Sequence, residues 1–138
     1  MNRPEEALQI ACVAYLNAAL PAPWFAVHVP NGGFRTKVEA AKFQKMGVKP
    51  GMPDLLLFGV TDGAFDKDTR IVAIEFKAPP VRLRSGGLSK SKPRLSPAQR
   101  ARQADLGSCG VPYLVIDDMA DMVQSLKALG VPLRGRVT

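Results

Sequence analysis

Two short apolar runs, Leu55 to Val60 and Ile71 to Phe76, enclose a segment from Thr61 to Arg70 that is rich in Asp, Gly and Thr. That pattern predicts two strands joined by a turn. The hairpin constrains the chain more than any other stretch because charge gathers at its open end. Pro53-Asp54 precedes the first strand, and Glu75-Phe76-Lys77 closes the second. With a symmetric turn, Val60 faces Ile71, Leu56 faces Glu75 and Asp54 faces Lys77, so that Asp54 and Glu75 become diagonal neighbours. Side chains two apart on a strand share a face. Ile71, Ala73, Glu75 and Lys77 therefore line one side of the second strand, and Val72, Ile74 and Phe76 the other.

Two carboxylates so close to each other and to apolar neighbours repel, and one must raise its pKa unless a cation sits between them. A hard divalent ion held by oxygen ligands resolves the conflict. Lys77 then stands where it can orient or deprotonate an attacking water, while such an ion lowers that water's pKa and stabilises charge building on a phosphate. The same residues also fit a plain hairpin with charged strand ends, in which Asp54 and Lys77 form a surface ion pair worth about 0–1 kcal/mol. The rest of the chain has to decide between these readings.

At 138 residues the chain is expected to form a single domain, 1–138, with one core and no need of disulfides. No run approaches the ~18 apolar residues of a membrane span, and the N-terminus lacks the charged-then-apolar pattern of a signal peptide. A soluble, intracellular chain is expected. Cys12 and Cys109 show no metal-ligand spacing and read as free thiols of a reducing compartment. The single histidine, His28, excludes two-histidine zinc sites and reads as structural. The net charge of +7 points to a polyanionic partner. The excess lies between Lys77 and Arg102 and on no amphipathic helix, which argues against a membrane surface. Arg82, Arg84, Lys90, Lys92, Arg94 and Arg100 occur there with no acidic residue among them.

Pro4 to Leu20 predicts a first helix, with Asn2 as cap and Leu8, Cys12, Tyr15, Leu16 and Ala19 at helical spacing. Glu5 shares the inward edge of that face, and Glu6 lies about 100° round. Either one supplies a further acidic group to the hairpin's open end, or both only complement the helix dipole. Trp24 to Val29 alternates as a strand and runs into the loop Pro30-Asn31-Gly32-Gly33, which carries Arg35. Thr36-Lys37-Val38-Glu39 has the form of a capping box and opens a second helix, closed by Gly47, on which Lys42 and Lys45 lie. A stiff Gly/Pro connection leads on to Asp54. After Lys77, Ala78-Pro79-Pro80 stops the strand, and about 80–94 reads as a flexible basic loop suited to a nucleic-acid backbone. Ser96-Pro97-Ala98-Gln99 caps a third helix, and that cap is by itself enough to account for Gln99. Pro112 to Ile116 is a further strand, and Asp117 or Asp118 caps a last helix closed by Gly130. A strand, a helix and a strand predict a right-handed crossover that sets the last strand parallel to the one carrying Glu75. The expected class is α/β, a small mixed sheet flanked by helices.

In their order and spacing these pieces resemble the VRR-NUC family of the PD-(D/E)xK nuclease superfamily. The matching residues are the glutamate near the start of the first helix, Val29-Pro30-Asn31-Gly32-Gly33, Gly47 through Asp54, Glu75-Phe76-Lys77, Leu95 through Gln99, and Gly110-Val111-Pro112-Tyr113. The resemblance covers nearly the whole chain. It implies a restriction-endonuclease-like fold and Mg²⁺- or Mn²⁺-dependent cleavage of DNA phosphodiesters. By the same resemblance Asp54 and Glu75 are metal ligands and Lys77 the catalytic lysine, with Gln99 ordering the site; the Phe76 carbonyl is expected to help place the ion. Glu5, or Glu6 in its place, is the N-terminal acidic residue. Arg35, Arg82, Arg84, Lys90, Lys92 and Arg94 are expected on DNA. Small stand-alone members look like enzymes of the cytoplasm of a bacterial or phage-infected cell. Some resemble homodimeric resolvases of four-way junctions, so a structure-selective endonuclease acting on branched DNA is the expectation. A nickase or restriction-like enzyme on ordinary duplex, or a non-catalytic DNA-binding protein, are the alternatives.

Overall fold

The computed structural model describes residues 3–30, 36–62, 67–88 and 95–135. Its elements, in chain order, are α1 (Pro4–Ala19), β1 (Phe25–His28), α2 (Lys37–Lys45), β2 (Leu55–Asp62), β3 (Lys67–Phe76), α3 (Pro97–Ser108), β4 (Tyr113–Ile116) and α4 (Met119–Ala128). Asn2, the loop with Gly32, Gly33 and Arg35, and Lys90, Lys92 and Arg94 lie outside the described residues.

The four strands form one sheet in the order β1-β2-β3-β4. β1, β2 and β3 run antiparallel to their neighbours, and β4 joins β3 in parallel, with Glu75 beside Val115, as the crossover rule predicts. The chain is thus a mixed α/β domain, the expected class.

Alternation along the strands decides the core. Leu55 and Leu57 of β2, Val72, Ile74 and Phe76 of β3 and Ile116 of β4 all point to one face. They bury there against Cys12 and Leu16 of α1 and Met122 and Leu126 of α4. Full burial of each such side chain contributes about 1.5–3 kcal/mol. Trp24 enters this layer over Gly59, where a Cβ would collide with the indole, and its Nε1 donates to the Val60 carbonyl at 3.2 Å. Burial holds the Cys12 thiol well above its usual range, at about 11, with the Asp118 charge adding to the effect, so this cysteine is an inert core residue. Cys109 is exposed, and both thiols are free. No helix among the described residues is long and apolar enough to cross a membrane.

The hairpin register differs from the expectation by two residues. Leu56 faces Ala73 rather than Glu75, and Val60 faces Thr69 rather than Ile71. The reason is that pairing does not stop where the apolar runs stop. It continues through Thr61 opposite Asp68 and Asp62 opposite Lys67, the latter an opposite-charge pair, and this moves the centre of the turn by one residue. A shift of two preserves which face each side chain takes. Continued one step past the last ladder pair, Leu55 with Ile74, the observed register brings Asp54 opposite Glu75 itself.

The helix ends follow the sequence in most places. Thr36 caps α2 and Ser96 caps α3, while Asp118 rather than Asp117 caps α4 by accepting from the Asp121 N–H at 3.3 Å. At α1 the N-cap is Arg3 rather than Asn2. A guanidinium offers no acceptor, so the end is closed from the other side, with the Arg3 backbone N–H facing a Glu6 carboxylate oxygen at 3.5 Å.

Candidate active site

The site lies at the end of the sheet where β1 and β3 finish and β2 begins. A cleft of about 650 Å³ opens there between the first turns of α1 and the start of α3, and Glu5, Glu6, His28, Asp54, Glu75, Phe76, Lys77 and Gln99 are in its wall.

Asp54 stands one residue ahead of β2 and is held by both neighbouring strands. Its carbonyl oxygen accepts from the Val29 N–H at 2.9 Å on the β1 side, and its Oδ2 accepts from the Phe76 N–H at 2.8 Å on the β3 side. His28 Nδ1 lies 2.8 Å from the same Asp54 carbonyl oxygen and 2.9 Å from Gln9 Nε2. In the tautomer with hydrogen on Nδ1 the imidazole donates to that carbonyl. His28 thus supports the backbone of a site residue, in keeping with its structural reading.

Glu75 is 4% exposed, the only buried charged side chain among the described residues. Its Oε1 accepts from Gln99 Nε2 at 2.7 Å, while its Oε2 is buried with no hydrogen-bond partner. Burial first, and the adjacent Asp54 charge second, push the Glu75 carboxyl from 4.5 up to about 8, against an opposing pull from Lys77.

Gln99 is the junction of the site. Its Oε1 accepts from Lys77 Nζ at 2.9 Å and from the Ser96 N–H at 2.9 Å, and its Nε2 serves Glu75. The Ser96 hydroxyl accepts in return from the Gln99 N–H at 3.1 Å. One amide therefore closes the helix cap and also contacts Lys77 and Glu75. A carbonyl oxygen has two lone pairs, so the helix cap consumes only half of its accepting capacity.

Gly51 carries this helix start to the hairpin. It has φ +84°, and a Cβ there would collide with the carbonyl group of Ala98 and lie 2.6 Å from the Gln99 nitrogen. Gly51→Ala is expected to cost at least about 1–2 kcal/mol from the left-handed backbone alone. The melting temperature should fall by about 3–10 °C. A variant melting with the wild type would refute the close packing of Gly51 on α3.

Among the expected site residues, Asp54, Glu75, Phe76, Lys77 and Gln99 converge. Glu5 and Glu6 both line the cleft. Glu5 is half-buried on the inward face of α1, and Glu6 is exposed and turned to the helix cap. No cluster of three or more His, Cys, Asp or Glu side chains able to hold a metal ion occurs among the described residues, so Glu5 does not complete a three-carboxylate set. The donors at hand are two carboxylates at adjacent backbone positions, one with a buried, unpartnered oxygen. An all-oxygen pair of this kind, costly without a counter-charge, fits a hard divalent ion. Arg82 and Arg84 are exposed and lie outside the cleft wall.

Sequence reasoning assigned no part to Tyr113. It pairs in register with Ala73, on the Glu75 face of the sheet, and its hydroxyl is buried with no hydrogen-bond partner. Burial and then the Glu75 and Asp54 charges push its phenol up, which sets it in the same electrostatic environment as the two carboxylates. Its signals in sequence were the predicted parallel strand and its place in the matched segment Gly110-Val111-Pro112-Tyr113. Gln9 was legible in principle, one helical turn on from Glu5.

No protein-family model matches the sequence, and no curated protein is significantly similar to it. Two chains among solved structures match. One is a VRR_NUC domain protein that superposes with a TM-score of 0.62 at 21% identity, over 96% of this chain and 93% of that one. The chain has the VRR-NUC domain fold.

Proposed function

From the VRR-NUC fold and the convergence of Asp54, Glu75, Lys77 and Gln99, we propose that this chain is a metal-dependent, structure-selective DNA endonuclease that cuts branched DNA such as four-way junctions as a homodimer. The observation that carries the reading is the single amide of Gln99 bonded to both Lys77 Nζ and Glu75 Oε1 beside Asp54. A surface ion pair would need no such bridge. Asp54, Glu75 and the Phe76 carbonyl are the groups that would hold Mg²⁺ or Mn²⁺. When bound, such an ion lowers the pKa of water and offsets negative charge developing on a phosphate. Gln99 Oε1 fixes the Lys77 ammonium, which orients the attacking water in line with the scissile bond and offsets charge on the non-bridging oxygen. The Phe76 N–H holds Asp54 Oδ2, keeping that carboxylate from swinging out of the cleft. Glu5, half-buried on the inward face of α1, is the N-terminal acid of the cleft, with the more exposed Glu6 beside it. Arg35, Lys90, Lys92 and Arg94, with Arg82 and Arg84, supply phosphate contacts, in line with the net charge of +7. Two copies would present one site to each strand of a two-fold symmetric junction.

The test is cleavage of a labelled panel of four-way junction, flap, single strand and linear duplex with Mg²⁺, Mn²⁺ or EDTA. Paired, metal-dependent nicks confined to the junction are expected. Equal cutting of linear duplex would assign a general duplex nuclease. Tight, salt-sensitive binding with no cutting under any metal would assign a DNA-binding module.

A further inference from the structure

The basic segment after Lys77 has local structure that its composition does not suggest. Arg82 and Leu88 form an antiparallel bridge, the Leu83 N–H donates to the Gly87 carbonyl at 2.6 Å, and the Gly86 N–H donates to the Leu83 carbonyl at 2.9 Å. Three large apolar side chains on and beside this tight hairpin are exposed: Val81 by 66%, Leu83 by 44% and Leu88 by 59%. Scattered surface leucines are ordinary. Three within eight residues, on a turn that also bears Arg82 and Arg84, put apolar and cationic groups on one short segment, with Leu88 on the Arg82 side of the bridge and Leu83 on the other. No acidic residue occurs anywhere between Lys77 and Arg102 to pair with those arginines.

We propose that hairpin 82–88 is a wedge that inserts Leu83 and Leu88 against unstacked bases of the DNA while Arg82 and Arg84 hold the flanking phosphates, so that it selects interrupted over continuous duplex. The proposal rests on the DNA-cleaving reading of the cleft. DNA is the polyanion whose charged exterior encloses apolar ring faces, which matches cationic and apolar groups alternating along one short turn. The reach is suitable. Leu83 lies six positions after Lys77, at most about 20 Å of extended chain, or the rise of about six base pairs. Pro79 and Pro80 stiffen the path locally. Unstacking is least costly where stacking is already broken, at a branch point, so an apolar wedge favours junctions without reading sequence.

The experiment uses the full chain in EDTA, with 2-aminopurine placed at the branch of a four-way junction or within a linear duplex. Wild type at saturation is expected to raise the junction fluorescence severalfold. Leu83→Ser/Leu88→Ser should abolish most of that rise and cut the junction-over-duplex preference about tenfold, with its melting temperature within a few degrees of wild type because neither side chain belongs to the buried core. Arg82→Gln/Arg84→Gln should keep the fluorescence rise at saturation and lower the slope of log affinity against log salt by about 2. An unchanged rise and preference in the leucine variant, with DNA binding intact, would overturn the wedge and leave the nuclease reading standing. Failure of the wild type to bind any DNA would overturn both. Leucine-dependent binding to anionic phosphatidylserine vesicles without DNA binding would assign the hairpin to a membrane surface.

Discussion

Asp54→Asn and Lys77→Ala are each expected to lower metal-dependent cleavage of branched DNA by at least about 10²–10³-fold, the scale on which a single preorganised charge acts on a developing oxyanion. Binding to the same DNA in EDTA should persist within a few-fold. Asp54→Asn keeps the shape of the side chain and an oxygen able to accept from the Phe76 N–H at 2.8 Å, so the fold has no reason to fail. Lys77→Ala releases Gln99 Oε1 from its 2.9 Å bond but leaves the Ser96 bond, so the cap of α3 stays closed. The two variants separate positioning from chemistry in different ways. Gel-resolved cleavage alongside a binding titration checks both. Wild-type turnover in either one would remove the cleft from the reaction.

Glu75→Gln is expected to stabilise the metal-free protein while abolishing cleavage. The Glu75 carboxyl is raised from 4.5 to about 8 by burial and by Asp54. A group raised in the folded state costs nothing below its unfolded pKa, where it is protonated in both states. The cost grows as pH rises through the interval and is complete above the folded value. The wild type should therefore lose stability progressively as pH rises from about 4.5 toward 8. Glutamine at this position has no charge to bury, keeps an oxygen for Gln99 Nε2, and should lack that slope. Denaturant unfolding in EDTA at pH 5 and pH 8 measures the difference. Parallel pH dependence in the two proteins would show that Glu75 is not the uncompensated charge. Added Mg²⁺ at pH 8 should recover stability in the wild type and not in Glu75→Gln, because the ion supplies the missing counter-charge.

The hairpin shows how far local chemistry reaches. The apolar runs and their alternation identify both strands, their faces and the gathering of Asp54, Glu75 and Lys77 at one end. They mislocate the turn by one residue, because pairing through Thr61, Asp62, Lys67 and Asp68 leaves no apolar signature. Gln99 shows a different limit. Its role in the Ser96 cap is visible within four residues of sequence, but its contacts with Lys77 and Glu75 span 22 and 24 residues and depend on where α3 lands. Gly51 sets that landing by allowing its own backbone against the first turn of α3.

Period-two and helical patterning, caps and turn residues, all properties of neighbours along the chain, were enough to determine the elements, the α/β class, the parallel placement of β4 and the membership of the acidic-lysine cluster. Only the tertiary structure decided that the register continues to Asp54 opposite Glu75, that Glu75 keeps one buried oxygen without a partner, that Tyr113 shares its face, and that one glutamine amide of α3 joins the glutamate and the lysine at the end of β3. These are consequences of register and burial, which depend on contacts distant in sequence and on solvent being excluded from them.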